Sequence, residues 1–326
     1  DMDGFMAMFS TGTSITVTSN ADIGPNTLRQ AIADAQYGDT IDFNLTYPAT
    51  ITLTSGELVL DDIGQLTILG PGSENLTIRG NNNSRIFNLT NSTMAISALT
   101  MAEGKAPNGG TGVSGEDGGA IYVDTNSSLI MVECVLKDNT AGNGGDNTSG
   151  YGGEGGDGGA IYSEGVVSAT SCTFETNSTG AGGNADPAGD GGHGGDGGAI
   201  FNSGALTMAN CTLENNQTGT GGNAVAGVAG DGGDGAGVFA DIGANISMDS
   251  NILKNNSTGI GGDGAIASGL YGAGGGITTA LAAGTYIANT VFTGNTAGNG
   301  GGMAAAPLTP AGIFNVVNCT FTAVSY

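Results

Sequence analysis

A two-part signature recurs along the second two thirds of the chain and constrains its fold more than any other feature. Five segments open on a Gly-Gly-small-apolar step: Gly118-Gly119-Ala120-Ile121-Tyr122, Gly158-Gly159-Ala160-Ile161-Tyr162, Gly197-Gly198-Ala199-Ile200-Phe201, Gly235-Ala236-Gly237-Val238-Phe239 and Gly274-Gly275-Gly276-Ile277. Gly300-Gly301-Gly302-Met303 is a weaker sixth. Each opening is followed by an apolar residue three before an Asn: Leu136 and Asn139, Phe174 and Asn177, Leu213 and Asn216, Leu253 and Asn256, Phe292 and Asn295. The apolar members are 38, 39, 40 and 39 residues apart, then 29 to Phe321, where Val324 replaces the Asn. A fixed period of this length means one supersecondary unit stacked on copies of itself.

Short runs such as Ser128-Leu129-Ile130-Met131-Val132 and Ala205-Leu206-Thr207-Met208 alternate in hydrophobicity and stop at Asn, Gly or Ser, which predicts short strands with tight corners. Strands stacked about 4.8 Å apart bury aligned apolar side chains. The recurring Asn tolerates a left-handed corner and can bond to its copy on the next coil, so Asn139, Asn177, Asn216, Asn256 and Asn295 are expected to form a ladder. The segments Gly142–Asp157, Gly180–Asp196, Gly219–Asp234 and Gly259–Ala273 have almost no large apolar groups. They are expected to project as loops or to pack on one another as a glycine-rich shelf. The last coil lacks such a loop, so the loops are expected to be dispensable for folding, Gly180–Pro187 included.

Residues 15–103 carry similar strands without the loops. One helical pattern lies among them: Asn26 or Thr27 can cap a helix over Leu28–Gln36, with Leu28, Ala31, Ile32 and Ala35 on one face and Gly38 at its end. The expected fold is all-β, a right-handed parallel β-helix with one short capping helix and long Gly-rich loops on one face. Its parts are an apolar N-terminal segment and first strand (1–24), the helix with loop-poor coils (25–103), and the Gly-rich coils (104–326).

Composition narrows the function. Of 64 glycines, 9 lie in residues 1–103 and 55 beyond, yet they do not recur every third residue as collagen requires. Six Lys+Arg against 30 Asp+Glu give a net charge of −24, which excludes the basic surface that nucleic acid needs. Apolar residues make up 38% of the chain in alternating runs, so a core exists, and no run reaches the roughly 18 apolar residues of a membrane span.

The Gly-Gly-Ala-Ile and Phe/Leu-x-x-Asn pair resembles the repeat of the polymorphic outer-membrane proteins. Asn26-Thr27-Leu28-Arg29-Gln30-Ala31-Ile32, followed by Gly38-Asp39-Thr40-Ile41-Asp42-Phe43, is similar to the CSLREAI-type start of prokaryotic β-helix surface proteins, without that family's leading Cys. The resemblance covers nearly the whole chain. It implies a β-helix in a cell-surface setting and brings no catalytic residues.

Asp117, Asp157, Asp196 and Asp234 each precede a Gly-Gly or Gly-Ala opening, so stacking places them in a carboxylate column. Such a column either binds Ca²⁺ through its oxygens or bonds the surrounding backbone. Asp146, Asn184, Asn223 and Asp263 form a second series. His193, the one histidine, reads as a solvated loop residue and excludes a multi-His metal site. Cys134, Cys172, Cys211 and Cys319 share one repeat position, where rung spacing disfavours a disulfide. Fourteen Asn begin Asn-x-Ser/Thr: Asn44, Asn75, Asn82, Asn88, Asn91, Asn126, Asn147, Asn177, Asn210, Asn216, Asn245, Asn255, Asn256 and Asn318.

With six cationic residues, no Trp and no recognisable motif, no catalytic residue is assigned and the chain is read as a non-enzyme. The expected role is a structural protein of the cell exterior, self-assembling into a filament, sheath or surface layer through Phe5, Met6, Met8 and Phe9 at one end and Phe321 and Tyr326 at the other. Expected partners are further copies of the chain, envelope glycans and other surface proteins, and no cofactor is expected unless the column takes calcium. An adhesin passenger domain is the alternative, and a polysaccharide lyase or hydrolase comes third.

Overall fold

A computed structural model describes residues 12–280, 284–305 and 313–323 of the chain. It is a parallel β-helix. The described residues form one helix, α1 (Leu28–Asp34), and strands β1 to β25 in two sheets of 16 and 9 strands. A representative coil consists of β11 (Ile161–Ser163), β12 (Val166–Thr170) and β13 (Thr173–Glu175). Each of these three strands pairs in parallel with its copies one coil before and after, with no slip: Ile161 with Ile121 and Ile200, Val167 with Leu129 and Leu206, Phe174 with Leu136 and Leu213.

The loop-poor coils differ by having one long strand where later coils have two. In β6 (Phe87–Ser97), Phe87–Leu89 pairs with β8 (Ile121–Val123) and Thr93–Ser97 with β9 (Ser128–Val132), so the division appears where the Gly segments begin. Inward positions form apolar columns, among them Ile121, Ile161, Ile200, Val238 and Ile277, all fully buried. A second column is Leu136, Phe174, Leu213, Leu253 and Phe292. Burying each such side chain stabilises the fold by about 1.5–3 kcal/mol.

Helix α1 starts at Thr27, whose hydroxyl accepts from the Gln30 N–H, and ends at Ala35, short of the predicted Gly38. Its buried Leu28, Ala31 and Ile32 join the apolar core, and the helix contacts β1 (Ser14–Val17) and β4 (Leu58–Leu69). Asp22 fixes it in place. That carboxylate accepts from Arg29, from the Thr54 hydroxyl and from the Thr54 and Ser55 N–H groups, and these bonds hold it below the usual carboxylate range although burial opposes them.

The asparagine ladder is present and fully buried. Asn177 Oδ1 accepts from both N and Nδ2 of Asn139, Asn216 Oδ1 does so from Asn177, Asn256 from Asn216, and Asn295 from Asn256, all at 2.9–3.1 Å. This corrects three of the expected glycosylation positions. Asn177, Asn216 and Asn256 have no exposed amide, because the repeat that creates the sequon also spends the side chain inside the ladder. The other eleven are half-buried or exposed. Cys134, Cys172, Cys211 and Cys319 are free thiols in one column.

The glycine-rich segments are a packed shelf rather than projecting loops. Along 152–157 the backbone donors turn with a period of three: Gly152 and Gly155 donate to the next coil, Gly153 and Gly156 to the other run of their own coil, and Glu154 and Asp157 to side chains of the preceding coil. Three residues per turn without internal hydrogen bonds is the geometry of an extended polyproline-II-type helix. Two layers of such runs stack in register with the coils. A Cβ on Gly192 would lie 1.9 Å from the Gly153 carbonyl oxygen, and one on Gly230 1.9 Å from that of Gly192, so both positions require glycine. Gly180–Pro187 is part of this shelf: Gly180 and Gly183 donate to Gly156 and Gly153, and their carbonyls accept from Gly195 and Gly192.

Candidate carboxylate groove

In this threefold packing two of every three positions face neighbouring runs of the same chain and are mostly Gly, while the third points out. The outward positions therefore form columns. One is Asp117, Asp157, Asp196 and Asp234, and three residues earlier in each coil is another, Ser114, Glu154, His193 and Asp231. Between these columns runs an open groove of about 560 Å³, lined by Glu154, Asp157, His193, Asp196, Asp231 and Asp234 and ended by Leu270, Tyr271, Ala273 and Asn299.

Each Asp of the main column uses one oxygen as a rung of the shelf. Asp117 Oδ1 accepts from Asp157 N at 2.7 Å, Asp157 from Asp196 at 2.7 Å, Asp196 from Asp234 at 2.6 Å and Asp234 from Ala273 at 2.6 Å. These bonds favour the ionised form, but burial outweighs them. Burial raises Asp117 and Asp234. Burial together with the negative charge of Asp196 raises Asp157 well above the usual carboxylate range. Asp196 is pushed up to about 7, by burial first and by the charge on Asp234 next. Adjacent carboxyls about one rung apart share protons, so the Asp157/Asp196 pair titrates as a unit.

His193 takes the same structural part in its own column. Its Nδ1 accepts the Asp231 N–H at 2.9 Å, which places the proton of the neutral ring on Nε2. The side chain is 57% exposed, and its Nδ1 lies 3.7 Å from Asp231 Oδ2.

Among the expected site residues, the structure brings Asp157, Asp196 and Asp234 into one groove and leaves Asp117 at its beginning, near the Arg85 charge. Among the described residues no three His, Cys, Asp or Glu side chains converge as a metal cluster, and one oxygen of each of Asp117, Asp157 and Asp196 is taken by a backbone N–H. Asp146, Asn184, Asn223 and Asp263 form a bonded ladder of the same kind. Phe321 is 43% exposed on the last described strand and stacks on Phe292 at 4.7 Å. Phe5, Met6, Met8, Phe9 and Tyr326 lie outside the described residues. Sequence reasoning missed Glu154, His193 and Asp231 as a column. Their signal was the spacing of three ahead of each Asp.

The aromatic column from Tyr122 to Phe239 is closed on itself rather than open as a sugar platform. Tyr122, Tyr162, Phe201 and Phe239 stack on one another at 4.9–5.4 Å, which covers their faces. Tyr271, 63% exposed, is the aromatic side chain of the groove.

No protein-family model and no curated protein matches this sequence. Among solved structures, that of the PL6 family alginate lyase AlyGC superposes with a TM-score of 0.50 at 15% identity, covering 96% of this chain and 40% of that one. The chain thus spans less than half the length of this neighbour. The likeness bears on the fold, and it also corrects the functional expectation. This neighbour is an alginate lyase and not a structural protein, so the expectation of a non-enzymatic building block of a filament, sheath or surface layer is not carried further. Among the described residues no helix is long and apolar enough to cross a membrane.

Proposed function

We propose that this protein is a polysaccharide-cleaving enzyme working outside the cell, with the Asp157/Asp196 pair as its acid–base machinery. The observation that carries this reading is the placement of Asp157 and Asp196 one coil apart in an open groove, where burial pushes Asp196 up to about 7 and Asp157 well above the usual carboxylate range. General acid–base catalysis is most effective when the catalytic pKa lies near the working pH. A pair sharing one proton offers a donor for the glycosidic oxygen and an ionised partner. The backbone bonds to Oδ1 hold both carboxyls and leave Oδ2 of each for substrate. His193 in its Nε2–H form is a hydrogen-bond donor into the same groove, not a base. An extended groove suits a polymer, and a polymer too large to enter a cell is cleaved outside it, a setting that the eight exposed sequon asparagines also fit.

The test is release of new reducing ends from a panel of neutral and uronate polysaccharides. Asp196→Asn and Asp157→Asn should each lower the rate about 10²–10⁴-fold while leaving the circular dichroism spectrum unchanged. Wild-type and variant proteins that release the same trace amounts from every polymer would overturn the proposal. Eliminative cleavage, the chemistry named for the structural neighbour, is the second reading, and unsaturated uronate ends would reveal it.

A further inference from the structure

Resting on the reading of the groove as a polysaccharide site, we infer that its substrate is an uncharged glycan, lying along the coil axis and cleaved by hydrolysis, rather than a polyuronate. The groove presents five carboxyl side chains, Glu154, Asp157, Asp196, Asp231 and Asp234, and no Lys or Arg lines it. Its one group able to become a cation, His193, has Nδ1 occupied by a backbone N–H. Four of the chain's six cations are paired elsewhere, Arg29 with Asp22, Arg79 with Glu103, Arg85 with Glu57 and Glu116, and Lys254 with Glu214, and the other two, Lys105 and Lys137, do not line the groove. A polyuronate carries a carboxylate on every sugar, so it would set a row of negative charges against a row of negative charges with no partner for either. Hydroxyl groups meet no such penalty. They donate to carboxylate oxygens, accept from His193 Nε2–H, and a sugar face can lie on Tyr271.

The axial repeat supports the orientation. Equivalent groups recur every coil, about 4.8 Å apart, close to the length of one pyranose unit, so each coil can offer one set of contacts per sugar. The chemistry follows from the substrate. Elimination removes a proton made acidic by the neighbouring uronate carboxyl, and a neutral sugar has no such proton. In hydrolysis the protonated member of the Asp157/Asp196 pair gives its proton to the glycosidic oxygen as the bond from the anomeric carbon breaks, and the ionised member takes that carbon. Water then releases the sugar and returns a proton to the first carboxyl. One water is consumed per bond, and no oxidant or metal is needed. A spacing of about 4.8 Å is near the roughly 5–5.5 Å of pairs that work through such a covalent intermediate.

Affinity electrophoresis and product analysis decide the matter together. Gels containing soluble β-glucan, mannan or xylan should retard the full chain, gels containing alginate or polygalacturonate should not, and Glu154→Gln with Asp231→Asn should reduce this discrimination by at least ~10-fold. Products should carry new reducing ends without the ultraviolet absorbance of unsaturated uronates. Retardation by a neutral glycan without cleavage would sink the enzymatic reading and the hydrolysis inferred here, leaving only the preference of the groove for an uncharged glycan. Cleavage or retardation by a polyuronate in preference to every neutral polymer would overturn this one and keep the enzyme. Retardation by no polymer overturns both.

Discussion

Asn216→Ala should be among the most destabilising single substitutions in the protein. The Asn216 carboxamide accepts from N and Nδ2 of Asn177 at 3.0 Å each, and donates to the Phe174 carbonyl at 3.0 Å and to Asn256 Oδ1 at 2.9 Å. Alanine leaves the Asn177 N–H, one Asn177 amide proton and the Phe174 carbonyl without these partners in a site that water does not reach. An orphaned buried polar group costs roughly 1–3 kcal/mol, so three of them amount to about 3–6 kcal/mol once neighbours relax. Domains are stable by about 5–15 kcal/mol, so the loss is a large fraction of the whole. Urea denaturation followed by far-ultraviolet circular dichroism measures it, with Asn126→Ala, at an exposed corner, as the control expected within about 0.5 kcal/mol of the parent. A loss below about 1 kcal/mol for Asn216→Ala, at an unchanged denaturant slope, would show that the ladder is not a buried network that holds the coils together.

The acidic column predicts a pH dependence opposite to that of a salt-bridged carboxylate. Asp196 rises from 3.8 unfolded to about 7 folded, so the folded state holds its proton longer, and the stability it contributes is lost as pH rises from about 4 to about 7. Asp196→Asn keeps the side-chain oxygen that accepts from Asp234 N but removes this titration, so it should raise the melting temperature at pH 8 and not at pH 4. A variant equally destabilised at both would refute the assignment. Gly192→Ala should destabilise the shelf by more than the roughly 1 kcal/mol of an ordinary Gly-to-Ala misfit, because the added methyl meets a backbone carbonyl at 1.9 Å, and a melting temperature equal to that of the parent would contradict the packing.

The 39-residue period, the alternating apolar runs and the recurrent Asn specified the coils before any coordinates, because parallel stacking repeats every contact and so writes itself into the sequence. Leu136, Phe174 and Leu213 lie in register for the reason that made them visible: a core column accepts only apolar residues at one phase. The helix and its apolar face were legible, but the choice of Thr27 over Asn26 as cap and the end at Ala35 were decided by the structure. The shelf was not, although its period of three is there to read in Glu154-Gly155-Gly156-Asp157 and His193-Gly194-Gly195-Asp196. Rejecting a collagen-like Gly at every third position concealed the complementary rule of a non-Gly at every third position. Burial of the sequon asparagines was likewise invisible, since Asn-x-Ser/Thr reads the same inside a ladder and outside it. Only the tertiary structure could decide the groove. His193 and Asp231 are neighbours because successive coils stack, and Asp196 holds its proton because glycine backbone replaces water around it, a desolvation that no local pattern of residues encodes.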